Sequence, residues 1–289
     1  MEKKYTFSGH ESFQCRQLWP KKGYDFISSG KSFNDDDAAI MLGVGKNMVA
    51  SIRFWMKSFG LLSLDDKITP FADKLLANDG WDPYLEDEAS LWLLHYHLVK
   101  SGIASTYSLV FNEFRREKIE FTRENYISFV KRKAESTGQF QANEKTIHDD
   151  FNVFVKLYLR TSHHLKDKED SFSGILSELD LIKAFSRGKD DYFVIENTDR
   201  TEIPDEVILY SILEAGNFDQ SVNLITLEQE PNSIGIVYSL SKGGLLNKIE
   251  SLASKPANGI TFNDHAGIKE LQFKKKLSPL TVLDKYYAN

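Results

Sequence analysis

The sequence predicts a mainly α protein with an α+β C-terminal part: an N-terminal winged helix-turn-helix, a helical middle and a small mixed α/β C-terminal domain. Three observations predict it. Residues 34–78 read as helix, glycine turn, helix, two short apolar segments and helix. Residues 86–160 repeat apolar side chains at helical spacing. Beyond a polar stretch at 160–174, β-branched and aromatic runs mix with helical ones. The expected boundaries are an arm plus winged-helix domain over 1–82, a helical domain over 83–165 and an α+β domain over 166–289, since 289 residues exceed what one core usually holds.

Each element has a local reason. Asn34 or Asp35 caps a short helix to about Leu42, because a side-chain oxygen there accepts the free first-turn amides. Gly43-Val44-Gly45 breaks it. A second helix runs from Lys46 to about Phe59, with Met48, Ile52, Trp55 and Phe59 on one buried face and Lys46, Asn47, Ser51, Arg53 and Lys57 on the others. Two apolar segments around Asp65-Asp66 read as a β-hairpin, and Thr69-Pro70 opens the next helix with a cap and a first-turn proline. Helices follow at about Arg123–Ser136 and Glu144–Leu159, joined by a polar link that suits a second helix-turn-helix or a plain helical pair. In the last third, "YFVIEN", "VNLIT" and "IGIVYSL" read as strands, with helices at 205–215, 242–254 and near the C-terminus.

Composition narrows the function. Hydrophobic residues make up 41% and charged residues 27%, the balance of a folded globular protein. No apolar run has the length of a membrane span and the start lacks a secretory signal, so a cytoplasmic protein without membrane contact is expected. One cysteine, Cys15, excludes an internal disulfide and a multi-cysteine zinc site, and free cysteines are commonly buried hydrophobes. The net charge of −6 is unevenly spread: residues 1–63 hold nine Lys/Arg against six Asp/Glu, while the rest is acidic. A basic N-terminal part on an acidic body suits a DNA-reading module joined to a partner-binding one.

The chemistry-bearing residues follow from this. Lys46 and Asn47 begin the reader helix, where asparagine pairs with adenine, and Ser51, Arg53 and Lys57 continue it with phosphate-neutralising charge. Lys67 lies beside the hairpin turn, near the adjoining groove. In "FSGHESFQCRQLWPKKGYDF", residues 7–26, His10, Glu11 and Arg16 are candidates for acid–base or metal work, set against a buried network that pins the arm under Phe7, Phe13, Trp19 and Tyr24. Asp149-Asp150, Asp190-Asp191 and Glu228 with Glu230 offer carboxylates for a Mg²⁺ ion in phosphodiester cleavage, and His163-His164 with Asp167 lie in the polar stretch. No complete nuclease, zinc-protease, nucleophile-elbow or phosphate-loop motif is present.

Those residues, with "DDAAIMLGVGKNMVASIRFWMKSFGLL" and "TIHDDFNVFVKLYL", resemble the SspB-like family of bacterial proteins associated with DNA phosphorothioation and related defence genes. The resemblance implies a double-stranded-DNA-acting component of phosphorothioation-linked anti-phage defence, in which the SspB-type protein is associated with nicking one DNA strand. A cysteine desulfurase, an ATPase and a sulfur-transfer protein are its implied partners, and Mg²⁺ or Mn²⁺ is the cofactor a nickase would need. His10, Glu11 and Arg16 fall in the most distinctive shared stretch. The alternative is a non-catalytic scaffold or DNA-binding adaptor that recruits sulfur-transfer or ATPase partners.

Overall fold

The computed structural model describes residues 5–141, 143–160, 173–216, 218–255, 259–265 and 267–288. They fall into two compact units, Met1–Ile195 and Glu196–Asn289, mainly helical and with two three-stranded antiparallel sheets. His163, His164, Asp167 and the 165/166 boundary expected from sequence lie outside the described residues.

The first unit opens with an arm, residues 5–18, that turns tightly around His10. Ser8, Glu11 and Ser12 all hold positive φ (59°, 49° and 67°), a conformation uncommon for residues with a Cβ. The arm is tied to distant segments by backbone: Thr6 donates to Ser105 Oγ at 2.8 Å, Ser105 donates back to Thr6 O at 3.2 Å, and Ile175 donates to Cys15 O at 2.9 Å. The chain then turns helical: α1, Trp19–Ser28, carries Pro20 in its first turn, where no amide partner is needed. Trp19, Gly23 and Phe26 share its buried face. Gly23 lets α1 press onto the next long helix, since a Cβ there would lie 3.0–3.1 Å from Met56 and Ile52.

The α2 (Ala38–Leu42) and α3 (Lys46–Ser58) helices sit where the sequence places them, joined by Gly43 at φ 62°. The cap expected at Asn34 or Asp35 is spent elsewhere. Asp37 occupies the N-cap without a side-chain bond, while Asp35 Oδ2 accepts from Ser32 N at 2.8 Å. The α3 helix packs against α1, α2 and α5 (Glu88–Ser101), so its buried stripe is wide: Val49, Ser51, Ile52, Trp55, Met56 and Ser58 all face inward. Residues 62–68 close on a single bridge, Leu62 to Ile68, rather than on a full hairpin ladder, with Asp66 at φ 60° in the turn. Thr69 caps α4 (Pro70–Leu76) as expected, its side chain accepting from Ala72 N at 3.1 Å.

The α5 and α6 (Ser105–Leu109) helices, a π-helical turn over Val110–Phe114, and α7 (Arg115–Glu117) carry much of the core of the unit, with Trp92, Tyr96, Tyr107 and Phe111 at most 1% exposed. The α8 (Arg123–Thr137) and α9 (Glu144–Tyr158) helices match the two read from sequence, each started by a side-chain cap, Thr122 and Asn143. The first sheet has the order β1 (Glu120–Phe121), β3 (Asp190–Val194), β2 (Lys183–Arg187), with Phe121 opposite Phe193.

In the second unit, α10 (Asp205–Ala215), α13 (Lys242–Ser254) and α14 (Pro279–Tyr287) agree with the sequence pattern. Two strands do not. "IGIVYSL" holds a helical turn, α12 (Ile234–Val237), because a short apolar run has no period of its own and extended Ser233 starts a helix there. "VNLIT" is strand only in β4 (Ser221–Asn223); Asn223 then accepts from Ile225 N at 2.8 Å and starts α11 (Leu224–Gln229). The second sheet, β4-β6-β5, is completed by a hairpin of β5 (Ile260–His265) and β6 (Ile268–Phe273), turning at Gly267 with φ 84°.

Candidate nucleic-acid interface

The α3 helix carries most of the residues predicted to touch DNA, and the structure sorts them into three groups. Lys46 and Asn47 are exposed in its first turn, whose N-cap, extended Gly45, contributes no side-chain bond to the free amides. Lys67 is likewise exposed, on the bend after α3. Ser51 is 0% exposed and faces the core, so it belongs to the packing of α3 and not to its outer face.

Arg53 and Lys57 form the third group, on the outer side but engaged. Arg53 Nε and Nη2 donate to the two carboxylate oxygens of Asp66 at 2.8 and 2.5 Å, and Nη1 donates to Asn34 Oδ1 at 3.1 Å. Lys57 Nζ lies 2.9 Å from Asp66 Oδ1 and donates to Leu64 O at 2.8 Å. This fork locks the 62–68 bend onto α3. The Arg53 bonds hold the Asp66 carboxyl below the usual carboxylate range, aided by Lys57 and opposed by partial burial. Asp66 was readable from sequence only as a turn residue. Its signal was the i, i+4 spacing of Arg53 and Lys57, which puts two cations on one helix face.

A cleft of about 710 Å³ lies along this side, lined by Asn34, Asp35, Asp36, Lys46, Asn47 and Arg53 among others. Its lining therefore mixes cations with two aspartates. Lys22, from α1, donates to Leu42 O at 3.2 Å at the end of α2, whereas Lys21 is buried between Asp25 and Asn78, each at 2.7 Å.

The arm candidates lie apart in character. His10 is 1% exposed, its ring stacked on Trp55 at 5.9 Å and 14°, with Nε2 2.7 Å from Asp150 Oδ1. Asp150, 3% exposed, also accepts from Ser8 N at 2.7 Å and from Thr106 Oγ1, which in turn accepts from Tyr126 at 2.9 Å. Trp55 Nε1 closes the arrangement by donating to Phe13 O at 3.0 Å. His10 Nδ1 is buried with no hydrogen-bond partner among the described residues. Glu11 is exposed, and the Arg16 guanidinium lies over the Trp19 ring at 5.5 Å. Cys15 is fully buried and its thiol is pushed well up by that burial.

The paired carboxylates separate. Asp150 faces inward while Asp149 is half-buried beside His148 at 3.3 Å. Asp191 accepts from Ser186 Oγ at 2.8 Å, and Glu228 meets Lys242 at 3.6 Å. Among the described residues no three His, Cys, Asp or Glu side chains converge as a metal site. No helix among the described residues is long and apolar enough to cross a membrane.

The sequence profile of the family described as "Protein of unknown function (DUF4007)" matches residues 7–287, and the chain belongs to that family. Within it the chain is SspB-like: a crystal structure of SspB and one of magnesium-bound SspB each align with a TM-score of 0.84 at 27% identity, covering 98% of this chain and 88% of theirs. No curated protein matches the chain. The resemblance read from residues 7–26, 36–62 and 146–159 is thereby borne out at the level of the family.

Proposed function

We propose that this protein is the double-stranded-DNA-reading component of a phosphorothioation-linked defence system, with α2, the Gly43 turn, α3 and the 62–68 bend acting as a winged helix-turn-helix. The observation that carries the reading is the first turn of α3. Lys46 and Asn47 stand exposed at an N-terminus whose Gly45 cap gives the amides no side-chain bond, while the other side of the helix is fixed in the core by Ile52, Trp55 and Met56. Such a terminus meets phosphate with its amides and lysine, and base edges with its asparagine. Anisotropy titration of a duplex at several salt concentrations tests it. In Lys46→Ala/Asn47→Ala, affinity is expected to fall by about 1–3 kcal/mol for the base contact and the salt slope to shallow by about 0.9 for the phosphate contact. Unchanged affinity and slope would remove α3 from the interface.

A second reading, favoured by the magnesium in one SspB structure, is Mg²⁺- or Mn²⁺-dependent nicking of one strand. Among the described residues the oxygen donors near α3 and in the arm fit such an ion in part. Asp35 and Asp36 in the cleft, or exposed Glu11, would supply one or two oxygens, with water and a DNA phosphate completing the shell. When bound, the ion would supply Lewis acidity at the phosphate. Supercoiled plasmid incubated with each metal should give relaxed circles that Asp36→Asn or Glu11→Gln diminishes; equal nicking by both variants would clear those residues of a role.

A further inference from the structure

We propose that the second unit carries its own nucleic-acid contact, a single-strand site at the end of β6 where Lys274, Lys275 and Lys276 meet the stacked rings of Phe218 and Phe273. This goes beyond the duplex reading and does not rest on α3. Residues 196–289 hold nine Lys/Arg against thirteen Asp/Glu, a net charge of −4, yet three exposed lysines follow one another here. They line a cleft of about 550 Å³ with both phenylalanines, and Asp219 is the one acidic side chain among its described lining residues. That size lies in the range of roughly 300–1,000 Å³ typical of small-ligand pockets.

The patch is held by backbone. Phe273 donates to Gln220 O and Lys274 to Gly259 O, both at 2.8 Å, and Ser221 pairs with Gln272 in the sheet alongside. The Lys275 stem lies across Gly259, where a Cβ would stand 3.1–3.3 Å from it. The two rings are 5.0 Å apart and 21° from parallel, each half-exposed. Ammonium groups beside an aromatic face suit a sugar–phosphate chain with an unstacked base laid on the ring. A duplex keeps its bases stacked and presents no such face. An acidic peptide would satisfy the lysines and leave the rings unused, so the observations favour nucleic acid.

The test uses the full chain and a labelled twelve-nucleotide oligothymidylate. Lys274→Gln/Lys276→Gln should weaken binding about tenfold at low salt and shallow the salt slope by about 1.4, near 0.7 for each lysine. Phe218→Leu should weaken it at least about fivefold with the slope unchanged. Lys46→Ala/Asn47→Ala should retain oligothymidylate binding, whatever happens to its duplex affinity, which keeps the two readings separable. Thermal unfolding is followed for every variant; the exposed lysine pair keeps the test decisive should Phe218→Leu fail to fold. Three outcomes overturn the proposal: oligothymidylate that the wild-type chain does not bind or that every folded patch variant binds unchanged, competition by polyglutamate equal to that by the oligonucleotide, or thymidine monophosphate binding as tightly as the oligomer.

Discussion

Two polar clusters in the first unit both look like sites in the sequence, and the structure gives them opposite characters. Around Asp150 the side chains are buried and joined across great sequence distance: His10 from the arm, Thr106 from α6, and Tyr126 one bond further on, with exposed Ser8 reaching the carboxylate through its backbone amide. Around Asp66 they are local and partly open, Arg53 and Lys57 coming from the adjacent helix with side chains 33% and 17% exposed. A buried acceptor cannot be removed without orphaning its donors, whereas a surface carboxylate can hand its partners to water or to a phosphate. The first cluster is therefore built to hold, and the second can exchange.

Breaking the buried cluster should have the largest effect. Asp150→Ala strands an imidazole and a hydroxyl inside the core and releases the amide of exposed Ser8, and with about 1–3 kcal/mol for each buried orphan the loss should reach at least about 2 kcal/mol in urea unfolding. A loss below about 1 kcal/mol would mean that the arm is not held from Asp150. Next comes the contact between α1 and α3. Gly23→Ala pushes a methyl to 3.0–3.1 Å from Met56 and Ile52, an overpacking expected to cost about 1–3 kcal/mol although alanine is the better helix former. If Gly23→Ala instead stabilises the protein, that helix pair has slack and the arm is anchored by polar bonds alone.

The contrast also explains what was legible beforehand. The ends of α3, α8, α9, α10 and α13 could be read because caps, glycines and apolar spacing are written within a few residues. The surface position of Lys46 and Asn47 was legible for the same reason. Ser51 was not: a helix covered by α1, α2 and α5 buries more than one stripe, and a small side chain that allows close approach looks polar by residue type alone. His10 drew notice through its composition, but its partner stands 140 residues away, and no local pattern records such a pairing. The β2 strand was missed because all five of its residues are exposed, so it has no apolar alternation, and β1 because two residues carry no pattern at all.

The smallest effect on stability should come from the Asp66 fork, and it carries the most information about binding. Asp66→Asn should cost about 1 kcal/mol, in line with a partly exposed ion pair. If α3 meets duplex DNA, the same change frees Arg53 and Lys57 for phosphate and steepens the salt slope by up to about 1.8, two contacts at about 0.9 each. The pH dependence has a definite sign. The Asp66 carboxyl is held low mainly by the Arg53 bonds, so the folded state binds its proton less readily than the unfolded chain does. The contribution is then complete above the unfolded value near 4 and is lost as pH falls through the lower folded one. Wild type should lose this increment of stability below about pH 4 while Asp66→Asn does not, so the two unfolding curves converge in acid. A gap that stays constant from pH 7 to pH 3 would show that Asp66 acts through packing, and Arg53 and Lys57 would then have no carboxylate to trade for a phosphate.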